Sequence, residues 1–241
     1  MQPDELPRGV TRVRAPNPSP LTLDGTNTYL VDSWVVDPGP DDRGHLDAVL
    51  EAAGGRIDGV VLTHDHSDHS AGAPTLAARA GVEVVRPAGG DRVGPFEVID
   101  TPGHAPDHVS LLSRRVLFAG DTVLGEGSVF VGGGEGSMAA YLDSLRRLRE
   151  LELDAILPGH GPVVWAPREK LDSYLEHRLM REQRVLEAIE AGAATRDELL
   201  DRAWSDVDLD AGPYLRMAAG LTLDAHVDKL VAEGRLAGPL K

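Results

Sequence analysis

The stretch that decides the fold is residues 57–69, which read IDGVVLTHDHSDH. Its first half is a short, nearly continuous apolar run, which predicts a buried strand. Its second half places three histidines and two aspartates within six residues. Because alternate side chains of an extended segment point the same way, His64 and His66 can reach a single metal ion. Asp68 and His69 follow as the chain turns, so we expect them to face a neighbouring point.

A solvated polar loop is the competing interpretation of this cluster. The cluster, however, follows a predicted buried strand and precedes the small residues of segment 70–72. Small side chains allow the backbone to approach closely, as a compact ion site requires. The pattern therefore favours a metal site over a decorated loop.

Three later residues of ligand type have the same context, each directly after a predicted strand and beside a glycine. They are His104 in TPGH, Asp121 in AGD and His160 in LPGH. Each is a weak signal alone. If the strand ends converge, the set becomes five histidines and two aspartates, which suits two zinc ions bridged by a carboxylate. The chain has no cysteine, which excludes disulfides and thiolate ligands.

The predicted order of elements indicates an α/β protein followed by a helical tail. We predict strands at 10–14, 28–36, 57–62, 82–86, 96–100, 109–112, 115–118 and 155–157, and helices at 45–53, 71–80, 138–151, 168–191, 196–204 and 221–233. The last helix runs into Glu-Gly-Arg-Leu, as at the end of a winged-helix module. We therefore predict one domain over residues 1–166 and a C-terminal helical, winged-helix-like domain over residues 167–241.

Charge and apolar content limit the partners that we expect. The formal net charge of −15 disfavours adhesion to nucleic acid or to an anionic membrane. It does not exclude a nucleic-acid substrate, because a basic patch and a metal pair can offset the field locally. No apolar run of about 18 residues occurs, and residues 1–18 lack the apolar core of a secretory signal. We expect a cytoplasmic protein without a membrane partner, and oligomerisation stays open.

The spaced ligands resemble the metallo-β-lactamase superfamily in order and in approximate spacing. The resemblance implies a four-layer αβ/βα metallo-β-lactamase sandwich over residues 1–166. It also implies two ligand sets, the first being His64, His66 and His104, and the second Asp68, His69 and His160. Asp121 would bridge the two metals, and we expect Asp68 and Asp121 to serve catalysis as well. The resemblance implies two Zn²⁺ ions, and Mn²⁺ or iron also suits His/Asp ligation.

Four further segments, at 23–31, 101–111, 120–127 and 177–183, resemble the β-lactamase-like protein 2 branch. Its mitochondrial member cleaves single-stranded RNA, whereas similar sequences are thioesterases in polyketide pathways. Without cysteine, the chain cannot supply the thiolate ligand of the commonest zinc β-lactamases. The helical tail also lacks the dense basic residues with which glyoxalase II holds glutathione.

We therefore predict a dinuclear zinc hydrolase that attacks its substrate with hydroxide held between the two metals. The leading hypothesis for the substrate is single-stranded RNA. The alternative is a thioester or small acyl ester, as in glyoxalase II or polyketide enzymes, and a third hypothesis is a noncatalytic metal-binding module. A basic channel leading to the metals would favour RNA, and a narrow pocket with an apolar wall would favour an acyl group.

Other residues have two interpretations each. Asp37 either orients a histidine ligand or caps a turn. Asp65 faces solvent or supports the site, and His108 is expected to be buried without being a ligand. His177, Arg178 and Arg181 contact substrate or form a plain charged helix face. We expect His45 and His226 at the surface, Asn27 near the site and Tyr29 in the core. The loop at 125–136, with Phe130, either closes over substrate or is a flexible connection.

Overall fold

Two five-stranded sheets form the centre of the protein in the computed structural model, which describes residues 5–132, 134 and 136–236. The first sheet contains, in spatial order, β1 (Val10–Arg14), β2 (Asn27–Val31), β3 (Trp34–Val36), β4 (Gly59–Val61) and β5 (Val84–Val85). The second has the order β10 (Ala155–Pro158), β9 (Val116–Gly120), β8 (Val109–Ser113), β7 (Phe96–Asp100) and β6 (Arg92–Val93).

The two sheets face each other through a shared apolar layer. Tyr29 of β2 meets Phe118 of β9 edge to face, with ring centroids 5.5 Å apart. Every residue of β2 and of β9 is buried, because helices cover the outer faces of both sheets. The prediction that Tyr29 lies in the core is therefore confirmed. A near-continuous apolar run is what a strand covered on both faces requires.

Helices cover both outer faces and complete the four layers. They are α1 (Arg43–Ala52), α2 (Ser67–Ser70), α3 (Ala73–Ala80), α4 (Met138–Arg149), α5 (Pro167–Glu190), α6 (Arg196–Ala203) and α7 (Pro213–Ala232). Helices α1 and α3 share a core with the first sheet, and α4 and α5 share one with the second. The predicted αβ/βα sandwich is confirmed. None of the described helices has the length and apolar content that a membrane span needs.

Several elements differ from the predictions, and three of these differences have local reasons. The predicted helix 71–80 starts at Ala73, because the Gly72 amide donates to the Gly39 carbonyl and a side chain there would collide with the Pro40 carbonyl. Strand β6 was not predicted, since two residues give no periodicity. Helix α7 begins at Pro213 rather than at residue 221. Gly220 weakens the helical pattern in sequence, but packing overrides that preference.

The three C-terminal helices enclose a separate apolar cluster, which includes Val185, Leu199, Trp204, Leu223 and Leu230. Helix α5 also contributes Leu171 and Tyr174 to the core of the second sheet. It therefore belongs to both packing units, and the boundary at 166/167 stays a prediction. Within the described residues no strand follows α7 as far as Leu236, so the winged-helix interpretation is also still a prediction.

Two histidines predicted to lie at the surface are buried, so that prediction is wrong. His45 is 3% exposed on the sheet-facing side of α1, where its Nε2 lies 2.9 Å from Thr28 Oγ1. His226 is fully buried on α7. It lies three residues after Leu223 and four before Leu230, which are both buried, and thus on the apolar face of the helix. Residue type suggested exposure, but position on the helix decided burial.

The buried carboxylate of Glu182 joins α5 to Lys229 of α7 and to Arg235, which follows α7. Glu182 is 5% exposed and accepts hydrogen bonds from Lys229 Nζ at 2.7 Å and Arg235 NH1 at 2.5 Å. His226 and these two cations together hold the pKa of Glu182 at about 2. Because the folded-state pKa is depressed, this carboxylate stabilises the fold above its ordinary pKa near 4.5. The contribution is lost as the pH falls from that value towards 2.

We therefore expect Glu182→Gln to lower the free energy of unfolding at pH 7 by ~1–3 kcal/mol, since it leaves buried donors poorly matched. It should also flatten the fall in stability between pH 4.5 and 2. Urea denaturation at several pH values measures both effects. Glu187→Gln, an exposed position on the same helix, is the matched control. Equal acid sensitivity of wild type and Glu182→Gln would contradict the assignment.

Candidate metal centre

Four strand ends deliver the predicted ligands to one edge of the sandwich. Strands β9 and β10 are parallel, so the residues that follow them, Asp121 and His160, emerge side by side. Strand β7 runs in the same direction as β9, because each is antiparallel to β8 between them. The loop after β7 therefore brings His104 to that edge, and segment 64–69 reaches it from β4 of the opposite sheet.

The seven predicted ligands lie together, and their donor atoms include the two predicted groups as well as a third set, His64, His69 and Asp121, that links them. In the first group, His66 Nδ1 lies 3.0 Å from both His64 Nε2 and His104 Nε2. In the second, His160 Nε2 lies 3.3 Å from His69 Nε2 and 3.2 Å from Asp68 Oδ2. In each group the three donor atoms lie within 4.8 Å of one another. Their role as metal ligands stays a prediction.

Asp121 lies between the groups and presents one oxygen to each. Its Oδ2 is 3.6 Å from His104 Nε2. Its Oδ1 is 3.4 Å from both His69 Nε2 and His160 Nε2. The Oδ1 atom is buried and has no hydrogen-bond donor among the described residues. A buried carboxylate oxygen left without a donor is costly, and a cation would relieve that cost.

The spacing of the ring nitrogens, which also falls within hydrogen-bond range, fits a metal ion held between them. Four ligands at the zinc–nitrogen distance of about 2.0–2.1 Å lie roughly 3.3 Å apart at the corners of a tetrahedron. The nitrogen–nitrogen distances here are 3.0–3.3 Å. Donor nitrogens and carboxylate oxygens, with no thiolate, suit zinc, manganese or iron. The residues present therefore fit two divalent cations.

Protonation differs between the two groups. Burial and the neighbouring His69 and His108 hold the pKa of His64 well below its ordinary value, so its ring is neutral. Burial opposes protonation of His160, but the adjacent Asp121 and Asp68 outweigh it and raise its pKa to about 9. Burial also opposes ionisation of Asp121, yet His69 and His160 keep its pKa well below the usual range. A metal cation bound at the second group would take the place of the protons whose positive charge offsets the charge of its carboxylates.

Asp37 supports the site from the outside, through contacts that favour its predicted orienting role. It is buried and follows β3, which runs parallel to β4. Its Oδ1 accepts the Thr63 backbone N–H at 2.8 Å, and its Oδ2 accepts the Thr63 hydroxyl at 2.7 Å. The same Oδ2 lies 2.9 Å from His69 Nδ1. This contact fixes the ring so that His69 Nε2 faces the second group.

His108 is buried beside the cluster and is not one of the seven ligands, as predicted. Its Nε2 accepts the backbone N–H of Asp121 at 3.0 Å. Its Nδ1 must then carry the proton, and it donates to Thr101 Oγ1 at 2.9 Å. His108 therefore positions the backbone that carries the shared carboxylate. Sequence reasoning did not single out Thr63 or Thr101, whose only signal is that each precedes a ligand loop.

The turn that carries His160 is held by its neighbours. The Asn27 amide donates to the carbonyl groups of Pro158 at 3.1 Å and Gly161 at 2.9 Å. A side chain at Gly159 would come within 2.6 Å of Asp121 Oδ1. Glycine is therefore required at position 159. The contacts of Asn27 confirm the prediction that this residue approaches the site. Asp65, in contrast, points outward and pairs with Arg86 at 2.8 Å.

The two arginines for which the sequence left open substrate contact or a plain charged helix face are buried and hydrogen-bonded within the protein. Arg178 donates to the Ser128 hydroxyl at 2.8 Å and to the Val129 carbonyl. Arg181 donates to the Ala203 carbonyl at 2.8 Å and pairs with Asp206 at 2.6 Å. They anchor surrounding segments to α5. The structure therefore favours a structural role for this pair over substrate contact and over an exposed charged helix face.

The predicted 125–136 loop packs at its centre, where Val129 and Val131 are buried. His104 Nδ1 donates to the Phe130 carbonyl at 2.8 Å, which ties the loop to the first ligand group. These contacts argue against a merely flexible connection for this part. Gly133 and Glu135 lie outside the described residues. Between loop and ligands is a cleft of about 300 Å³, whose apolar wall includes Pro20, Leu21, Leu124, Val129 and Phe130.

Comparisons of sequence agree with this geometry. The family described as "Metallo-beta-lactamase superfamily" matches residues 21–95 and 88–160. Beta-lactamase-like protein 2 homolog of Caenorhabditis elegans is 30% identical, over 98% of this chain and 88% of the relative. Atrochrysone carboxyl ACP thioesterase of Aspergillus fumigatus is 27% identical, over 88% of this chain and 80% of the relative.

Comparisons of structure give the same fold. A beta-lactamase domain protein from Burkholderia ambifaria superposes with a TM-score of 0.79 at 22% identity, covering 97% of this chain and 88% of that one. The structure of TTHA1623 in a di-iron-bound form has a TM-score of 0.56 at 28% identity, covering 70% and 97%. Both likenesses support the four-layer sandwich.

Asp37 holds the ring of His69 and is not itself a predicted ligand, so replacing Asp37 tests the site without changing a ligand. We expect Asp37→Asn to weaken zinc binding by about 10- to 100-fold, because an amide cannot accept from all three present donors. Asparagine tolerates the positive φ of 48° at this position, so the backbone should not change. Competition with a chromophoric chelator measures the affinity. Asp65→Asn is the control, and an equal loss in both variants would contradict the assigned role.

Proposed function

The chain belongs to the metallo-beta-lactamase superfamily, and from that premise we propose that it is a metal-dependent hydrolase of thioesters or small acyl esters. The observation that carries this proposal is the wall of the cleft. Five of its lining residues belong to the ligand cluster, and five others are apolar. Clefts that combine apolar walls with a few convergent polar groups are typical of sites for small molecules.

Single-stranded RNA is the second candidate, and the lining of the cleft disfavours it. Grooves that bind single strands combine stacking aromatics with cations that follow the phosphates. No lysine or arginine is among the described residues that line the cleft. Arg178 and Arg181 nearby already have partners within the protein. The name of the Aspergillus fumigatus relative, a thioesterase, supports the acyl proposal.

We assign two divalent cations to the two groups. His64, His66 and His104 would hold one, and Asp68, His69 and His160 the other, with Asp121 shared. Zinc is the usual ion for such hydrolases, and the di-iron form of TTHA1623 makes iron the main alternative. When bound, these ions would supply a water of lowered pKa and a Lewis acid for the substrate oxygen.

The protein's own side chains would orient the reaction. Asp68 borders the cleft with 29% of its side chain exposed, whereas Asp121 has 12%. Burial opposes ionisation of Asp68, but His160, whose Nε2 lies 3.2 Å from Asp68 Oδ2, and His69 lower the pKa of Asp68. Hydrolysis adds water across the acyl–sulfur bond, so that the acyl group leaves as a carboxylic acid and the sulfur as a thiol. We assign Asp68 the transfer of the water proton.

We expect Asp121→Asn to lower kcat for an acetyl thioester by about three orders of magnitude or more, because an amide cannot present an anionic oxygen to both groups. Release of free thiol measures turnover, with metal content determined for each preparation. Asp143→Asn, an exposed aspartate on α4, should match wild type.

Three results would distinguish the hypotheses. Thioester hydrolysis by Asp121→Asn at the wild-type rate would contradict the mechanism. Cleavage of labelled single-stranded RNA by wild type alone, without thioester hydrolysis, would favour the RNA hypothesis. Bound metal with neither activity would favour a noncatalytic metal-binding module.

A further inference from the structure

The cleft beside the ligand groups adjoins a second cavity of about 290 Å³. The two cavities share five wall residues, namely Pro20, Leu21, Ser128, Val129 and Phe130. The rest of the second cavity is lined by residues of α5, of α7 and of the segment between α6 and α7. A substrate whose reacting group lies at the ligands can therefore extend, without leaving the protein surface, between the 128–130 loop and the C-terminal helices.

The lining of this second cavity is mostly apolar. Its C-terminal side includes Trp204, Val207, Leu209, Tyr214, Leu215 and Ala219. On α7, positions 214, 215, 218 and 219 recur at helical spacing and present one face to the cavity. Alanines at 218 and 219 leave space that larger side chains would fill. The shape and chemistry of this surface suit a hydrocarbon or aromatic group.

The two arginines in the lining are buried and bonded within the protein. Arg178 and Arg181 are 2% and 3% exposed. Arg178 NH2 donates to the Ser128 hydroxyl and the Val129 carbonyl, and both terminal nitrogens of Arg181 donate to Asp206. The two arginines also stack over Tyr141 and Trp204, with the guanidinium carbons 5.4 and 5.1 Å from the ring centroids. Burial and these two cations lower the pKa of His177 to about 4, so its ring is neutral at pH 7.

Exposed apolar side chains concentrate at this cavity. The described residues expose five large hydrophobic side chains, and three of them line the cavity. They are Leu21 at 61% exposure, Tyr214 at 53% and Leu215 at 45%. Apolar side chains clustered at one concave surface mark a place where an apolar partner is buried. The five wall residues that this cavity shares with the cleft place such a partner next to the ligand groups.

We propose that this second cavity binds the acyl chain of the substrate, and that Tyr214 and Leu215 of α7 determine chain-length specificity. The inference rests on the proposed acyl hydrolase function and adds the substrate class, an apolar acyl group extending well beyond acetyl. It also assigns a role to the C-terminal helices, which complete the substrate site.

The test is a series of N-acetylcysteamine thioesters with straight acyl chains of increasing length, given to the metal-loaded full chain. Transfer of each methylene out of water should raise kcat/KM about threefold to fourfold until the cavity is filled. Calorimetric titration with the corresponding straight-chain carboxylates, the products of hydrolysis, measures binding independently of turnover. Their affinity should rise with chain length in the same way.

Matched variants identify the cavity as the cause. Leu215→Gln should lower the ratio of kcat/KM for long over short chains by about tenfold, roughly the effect of two methylenes. Leu179→Gln, at 44% exposure on α5 and outside the cavity, should leave the ratio unchanged. Ala218→Trp fills the cavity and should shift the preference to shorter chains.

Each outcome has a distinct meaning. Hydrolysis without chain-length dependence, or an equal response to Leu215→Gln and Leu179→Gln, would overturn the inference and leave the proposed function intact. Failure to hydrolyse any thioester would overturn the proposed function. In that case the carboxylate titrations would test the inference separately. An affinity that does not rise with chain length would overturn the inference as well.

Discussion

The carboxylate of Asp121 faces both ligand groups at once, and the surrounding structure is arranged to keep it there. Burying an ionised carboxylate is costly unless charges and donors compensate it. The parallel pairing of β9 and β10 places His160 beside it, and His108 holds its backbone N–H. Gly159 leaves the space that its Oδ1 occupies. The four-layer sandwich can thus be described as the scaffold that brings four strand ends to this carboxylate.

The clustering of the seven candidate ligands was predictable from sequence, because the segments that carry them follow strands, where local pattern and chemistry coincide. An orienting role for Asp37 and the burial of His108 were predicted as well, but the contacts of these residues with Thr63 and with the Asp121 backbone arise only in the tertiary structure. The sandwich followed from the resemblance and from strand and helix periodicity. Burial of His45 and His226 could not be predicted from residue type, because the face of the helix decided it.

Charge was the least reliable guide to function. Arg178 and Arg181 suggested a substrate contact, but the structure uses them to fasten the 128–129 segment and α6 to α5. Because these two arginines are buried, the acidic chain presents an apolar cavity beside its ligand cluster. That cavity lies between a loop of the sandwich and a helix of the tail, which no local sequence pattern could indicate. The substrate preference that we infer therefore arises from packing between distant segments.

Anomalous diffraction from crystals of the zinc-loaded protein would show whether the seven side chains form two metal sites that share Asp121. We expect two peaks at the zinc edge, one within the group of His64, His66 and His104 and the other within the group of Asp68, His69 and His160. Both peaks should lie within bonding distance of Asp121. A single peak, or none at these residues with zinc bound elsewhere, would contradict this arrangement.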